Sequence, residues 1–209
     1  MFDYKKEIAK KLLQINAINL NYEHSFTWAS GIKSPIYCDN RKSLSDVAAR
    51  ELICDGFQNC AQNFPAFDVI AGVATGGIAH GMLLADRLGL PFIYVRTSAK
   101  GHGMKNAVEG KLEKGQRVLV IEDLISTGGS SFQAIQSLQE ADAEIAGMMA
   151  IFTYGFNESR LLFENHGVQI ACLTDYDTLI QCAVELGILK SENLNELLLW
   201  KNDPKSWRQ

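Results

Sequence analysis

The sequence predicts an α/β fold, a mainly parallel central sheet flanked by helices. Short runs rich in Val and Ile, at 67–73, 91–96, 118–121, 145–154 and 168–174, alternate with stretches of helical spacing. These runs are apolar along most of their length, the pattern of strands covered on both faces. At 209 residues the chain is long enough for one sizeable core. One domain over 1–209 is therefore expected, with its core at about 67–175 and flanking elements over about 1–66 and 176–209.

Taken in order, residues 2–16 place Ile8, Leu12 and Ile15 at i, i+4 and i+7 with lysines between them, an amphipathic helix. In FTWASGIKSPIYCDNR (26–41), aromatic and β-branched residues flank Gly31 and Pro35, predicting two short strands around a turn. Ser45-Asp46 opens a helix to about Asn63, with Gly56 its weak point. FDVIAGV (67–73) reads as a buried strand, IAHGMLLADRLGL (78–90) as a helix and PFIYVR (91–96) as a strand. The strand VLVI (118–121), a helix at about 130–140, the strand at 145–154, a helix near 157–166 and the strand at 168–174 follow. Helices at 178–189 and 194–200 close the chain, the second behind the capping candidate Ser191.

Between 91–96 and 118–121 lies TSAKGHGMKNAVEGKLEKG (97–115), long for a connection inside a compact α/β unit. Lys100, His102, Lys105, Lys111 and Lys114 stand among four glycines there, which favours a mobile basic lid over a plain hairpin.

Bulk properties exclude several classes. Apolar content of 47% with 21% charged residues describes a globular chain, not a disordered one. A net charge of −4 counts against sequence-independent nucleic-acid binding, which needs a basic excess. Five scattered cysteines without a CxxC pair suggest no disulfide framework or zinc site, and a reducing compartment. The charged N-terminus is not a signal peptide, and no run reaches the ~18 apolar residues of a membrane span. A cytoplasmic protein with no membrane partner is expected.

The chemistry concentrates in VLVIEDLISTGGSS (118–131). A parallel strand delivers the chain to the carboxyl edge of the sheet, where such folds bind ligands. Ser126, Thr127, Gly128, Gly129 and Ser130 then precede a helix, offering hydroxyls and free backbone amides to a phosphate. Glu122 and Asp123 stand just upstream, where carboxylates accept hydrogen bonds from sugar hydroxyls. A phosphate cradle beside diol-accepting acids describes a ribose 5-phosphate. The plainer alternative is a capped strand–helix turn with two solvated acids. The stretch is neither GxGxxG nor GxxxxGK[ST], which disfavours dinucleotide and P-loop sites.

The same stretch strongly resembles the PRPP-binding signature of type I phosphoribosyltransferases. FTWASGIKSPIYCDNR (26–41) and YVRTSAKGHG (94–103) are similar to the base-covering segment and the catalytic loop of the orotate phosphoribosyltransferase family. With GVATGGI (72–78) and FTYGF (152–156), the resemblance runs over nearly the whole chain.

It implies the type I fold with a small N-terminal hood. It also implies transfer of the phosphoribosyl group from PRPP to orotate, giving orotidine 5′-monophosphate and pyrophosphate. Mg2+ would be held by PRPP and water rather than directly by protein, in a homodimer with shared active sites. Arg96, Lys100 and His102 match the loop residues that contact pyrophosphate across the dimer interface, and Lys100, His102 and Asp123 match the catalytic set. Thr75 and Gly76 match a pyrophosphate-binding turn, with a non-proline cis peptide around Ala74–Thr75. Glu122 through Ser130, with Leu124 and Ile125, match the PRPP loop; Ser126, Lys33, Ile36 and Tyr37 match the orotate contacts.

The chain departs from the family pattern at Thr97 and Ser98, where many members carry a loop lysine, and at Ala29, where some do. It also lacks the arginine some members place near 153–156. Asp39 and Arg41 equally suit a surface ion pair. A purine or xanthine phosphoribosyltransferase, or a PRPP-sensing regulator, are the alternatives. The orotate-like 26–41 segment counts against the first, the net acidity and retained loop against the second.

Overall fold

The computed structural model describes residues 2–22, 25–28, 31, 33–96, 107–204 and 207. Helix α1 (Tyr4–Gln14) forms where its spacing predicts, with Asp3 capping the Lys6 amide and Ile8 and Leu12 buried. Four short strands follow: β1 (Ile18–Leu20), β2 (Phe26–Thr27), β3 (Lys33–Ser34) and β4 (Ile36–Cys38). They pair as two antiparallel ribbons, β1 with β4 and β2 with β3, apart from the main sheet. The expected strands around Gly31 are present as β2 and β3. The second ribbon was not foreseen, because three residues such as INL (18–20) carry no readable period. A 3₁₀ turn (Asn40–Ser45) leads to helix α2 (Val47–Ala61), whose Ala49 amide is capped by Asp46 at 2.7 Å.

The central sheet contains β5 (Val69–Val73), β6 (Phe92–Val95), β7 (Val108–Glu109), β8 (Arg117–Ile125), β9 (Glu144–Thr153) and β10 (Ile170–Asp175), ordered β10-β9-β8-β5-β6-β7. Every pairing is parallel except β6 with β7. The helices between them are α3 (Gly76–Leu88), α4 (Gly129–Glu140) and α5 (Asn157–Asn165), followed by α6 (Tyr176–Glu185) and α7 (Leu194–Asn202).

Successive residues of β8 divide between two apolar clusters. Leu119 and Ile121 join Ile8, Phe57 and Leu84 on one face, while Val118 and Val120 join Ala134, Leu138 and Phe163 on the other. A buried Val or Ile contributes about 1.5–3 kcal/mol, so both faces hold the strand and it reads as apolar without alternation.

Three boundaries differ from expectation. Strand β8 does not end before the acids; it continues through Glu122 and Asp123 because residues 122–125 stay in register with β9. Ser191 does not cap the last helix: it starts a 3₁₀ turn, and Asn193 precedes α7. The described part of 97–115 is a hairpin arm, since β7 pairs antiparallel with β6 and Lys111 and Lys114 bind Glu113 and Asp142. The rest of the lid expected over 97–115, residues 97–106, lies outside the described residues.

The strand order has a direct consequence for ligand binding. After β5 the chain moves to β6 on one side, then returns to β8 on the other and continues outward to β9 and β10. The loops leaving β5 and β8 therefore diverge, opening a crevice at the carboxyl edge between them. At the opposite end, Asp68 takes the Arg117 amide, Nε and Nη2 at 3.0, 3.0 and 2.7 Å, which fixes the start of β5 against β8.

Candidate active site

The crevice holds a cavity of about 370 Å³, lined by Ala74 and Thr75 after β5, by Glu122 and Asp123 of β8, by Ser126–Gly128 of the following loop and by Ser130 in the first turn of α4. Gly128 adopts φ +85, open to glycine but costly for other residues. That turn aims the chain into α4, whose N-terminus is capped by no side chain. Its first amides are thus available to an anion, reinforced by the helix dipole. On the other wall the Ala74–Thr75 peptide is cis. A Cβ on Gly76 would lie 2.2 Å from Asp123 Cγ, so only glycine lets this turn close on that carboxylate.

The two acids face opposite ways, as successive strand residues must. Asp123 points toward Gly76 of α3. Glu122 points toward α4, is 6% exposed, and accepts from its neighbour's amide at 2.9 Å and from Ser131 Oγ at 3.1 Å. Burial, then the hydrogen bond and charge of the adjacent Asp123, push the Glu122 carboxyl well above its ordinary range. Both acids line the cavity, as a sugar-binding pair would, but only Asp123 is partly exposed; Glu122 is turned inside and engaged by its own neighbours. Ile125 stands further from a ligand than its loop neighbours. Its side chain is fully buried and its carbonyl is taken by Thr153 Oγ1 and the Tyr154 amide, so only its backbone amide is left to face a ligand.

A second cavity of about 230 Å³ adjoins the first, sharing Leu124 and Ser126; Thr27, Trp28, Tyr37, Cys38 and Tyr154 complete its lining. Trp28 lies 5.0 Å from Tyr154, and its Nε1–H donates to the Ile36 carbonyl at 3.1 Å. Tyr154 stacks on Phe156, and Trp200 of α7 meets Trp28, Tyr154 and Phe156. The result is a flat, mostly apolar slot beside a polar cradle. Tyr37, 45% exposed, lines the slot as expected. Ile36 does not: its side chain is fully buried in the core cluster. Lys33 lies across from Thr27 in the β2–β3 ribbon, on the face that Thr27 presents to the slot.

Arg96 follows β6, whose Val95 carbonyl accepts from the Ala74 amide, so Arg96 enters beside the same edge. Its Nη2 lies 2.7 Å from Glu109 Oε1. Lys100, His102, Thr97, Ser98 and Ala29 lie outside the described residues. Asp39 and Arg41 do form an ion pair, 2.6 Å long, which holds the Asp39 carboxyl below its ordinary value.

Sequence reading missed Trp28, Tyr154, Asn40 and His80. Asn40 and His80 are 1% and 2% exposed. Asn40 Nδ2 donates to the Asp123 carbonyl at 2.6 Å, and His80 Nε2 lies 3.2 Å from Ser43 Oγ. Burial lowers the His80 pKa to about 4, partly countered by the Asp123 charge. A single polar residue gives no sequence signal of its burial; only the topology brings these side chains to one place.

Residues 42–173 match the model of the phosphoribosyl transferase domain. An orotate phosphoribosyltransferase of Cytophaga hutchinsonii is 49% identical over 99% of this chain and 100% of its own length. Another, from Listeria monocytogenes, is 47% identical over 97% of this chain and 98% of its own. The crystal structure of orotate phosphoribosyltransferase from Aeropyrum pernix superposes with a TM-score of 0.74 at 30% identity, over 87% of this chain and 99% of that one.

Proposed function

The chain belongs to the orotate phosphoribosyltransferase family, and we infer that it transfers the phosphoribosyl group of PRPP to orotate, releasing pyrophosphate. The carrying observation is the pair of adjoining cavities: a phosphate cradle with a carboxylate, sharing the walls of Leu124 and Ser126 with a flat aromatic slot. A ribosyl phosphate and a planar base meeting at the anomeric carbon need that adjacency.

In this reading the amides and hydroxyls of Ser126–Ser130 hold the 5-phosphate, and Asp123 accepts from the ribose hydroxyls. The Thr75–Gly76 turn takes the diphosphate. Trp28, Tyr37 and Tyr154 hold the base, with Lys33 near its polar edge. The reaction builds positive charge on the sugar and negative charge on the leaving diphosphate, so it needs cations and exclusion of water. Lys100 and His102 supply these, with Arg96, in a homodimer that shares its sites. Mg2+ would be held by the phosphates of PRPP and by water rather than directly by protein, and would supply charge to offset the leaving diphosphate. Five unpaired thiols support action in a reducing cytoplasm. Among the described residues no helix is long and apolar enough to cross a membrane.

The test is PRPP-dependent pyrophosphate release, assayed separately with orotate, uracil, hypoxanthine and adenine. Turnover with orotate at least tenfold above the others is expected. Preference for a purine would overturn the assignment.

A further inference from the structure

We propose that Asn40 is a positioning residue, one that fixes the base slot and the sugar-binding acid in a single frame. The inference rests on the functional reading above and goes beyond it, since Asn40 lines neither cavity.

Both ends of its side chain are used. Nδ2 donates to the backbone carbonyl of Asp123 at 2.6 Å, while Oδ1 accepts from Cys38 Sγ at 3.3 Å, and Cys38 lines the base slot. Burial, then the Asp123 charge, push the Cys38 thiol well up, so it stays protonated and able to donate. The backbone of Asn40 is tied as well. Its carbonyl accepts from Ser43 Oγ at 2.6 Å, and Ser43 Oγ lies 3.2 Å from His80 Nε2. A hydroxyl has one hydrogen, and the shorter contact takes it. His80 Nε2–H therefore donates to Ser43, and His80 is the neutral Nε2–H tautomer. His80 belongs to α3, which begins at the diphosphate turn.

One chain of hydrogen bonds, buried at Asn40, Ser43 and His80, thus joins β4, the 3₁₀ turn, α3 and the peptide of Asp123. A peptide held at its carbonyl cannot rotate, and that rotation would swing the carboxylate away from the diol. Packing alone does not ask for an amide here, since an apolar side chain of this size fills the space. It would, however, leave the Asp123 carbonyl without this donor.

The decisive variant is Asn40→Asp, equal in size but presenting an oxygen to the Asp123 carbonyl in place of a donor. Calorimetric titration with PRPP and Mg2+ should show affinity weakened about tenfold, the scale of one lost buried hydrogen bond. A change under twofold would overturn the proposal. Should Asn40→Asp not fold, Asn40→Ser, whose hydroxyl falls short of the carbonyl, is read the same way. A double-mutant cycle with Asp123→Asn separates positioning from general loosening. If Asn40 acts through Asp123, its penalty shrinks to under a third of its value when Asp123 is already changed. A penalty of full size in that background would show a merely structural role. Parent turnover of orotate is measured first, so that failure of the assignment is told apart from failure of this inference.

Discussion

At the scale of single residues, Glu122 and Asp123 show how strand alternation divides two identical charges between two tasks. Asp123 meets the crevice, and Asp123→Asn should weaken PRPP binding at least tenfold while leaving the melting temperature within a few degrees. Unchanged affinity in a titration would remove it from the site. Glu122 is held inside by two hydrogen bonds, with its carboxyl raised by burial and by its neighbour. A carboxyl whose folded pKa exceeds its unfolded one contributes most below the unfolded value, about 4.5, and loses that contribution as pH rises through the folded value. Glu122→Gln should therefore gain stability relative to the parent as pH climbs from 4.5 to 8. Urea unfolding of both proteins across that range checks it; a difference independent of pH would contradict the burial argument. His80 has the opposite sense. Its pKa of about 4 lies below the unfolded 6.5, so its contribution is complete above 6.5 and falls away toward 4. Comparing variant with parent cancels that slope.

At the scale of elements, Gly128 turns β8 into α4. Alanine there must adopt φ +85, with its Cβ 3.0 Å from Phe163. Gly128→Ala should cost about 1–2 kcal/mol of stability from the left-handed backbone alone, and should weaken phosphate binding by shifting the first amides of α4. Equilibrium unfolding and PRPP titration measure the two effects, and a variant as stable as the parent would refute the strain. The Gly128 turn was legible in the sequence because Ser, Thr and Gly between an apolar run and a helical stretch have one economical conformation. The central strands were legible for a related reason: burial on both faces writes an unbroken apolar run. The end of β8 was not, since backbone pairing with β9 carries a strand through polar residues that periodicity assigns to a loop. Ile36 and Tyr37 were inseparable in the sequence, although one side chain is buried in the core and the other lines the slot. The aromatic slot was hidden further still. Trp28 follows β2 and Tyr154 follows β9, and only the assembled fold sets them 5.0 Å apart.

At the scale of the whole molecule, charge sets the remaining requirement. Among the described residues, the linings of both cavities contain two carboxylates and no lysine, arginine or histidine. A departing diphosphate beside Asp123 needs cations that these walls do not offer. The chain's candidates are Arg96, which enters at the edge beside Ala74, and Lys100 and His102 just after it. If those of one protomer serve the cavity of its partner, the two halves of each site can be inactivated on different chains. Lys100→Ala and Asp123→Asn should each abolish most activity in their own homodimers. Mixed in equal amounts and allowed to exchange, half the dimers are hybrids, each with one site free of both substitutions. Recovery to roughly a quarter of the parent rate is expected for a twofold assembly. Exchange is followed independently by native mass spectrometry of a tagged protomer. Hybrids that form and stay inactive would show that each chain supplies its own cations.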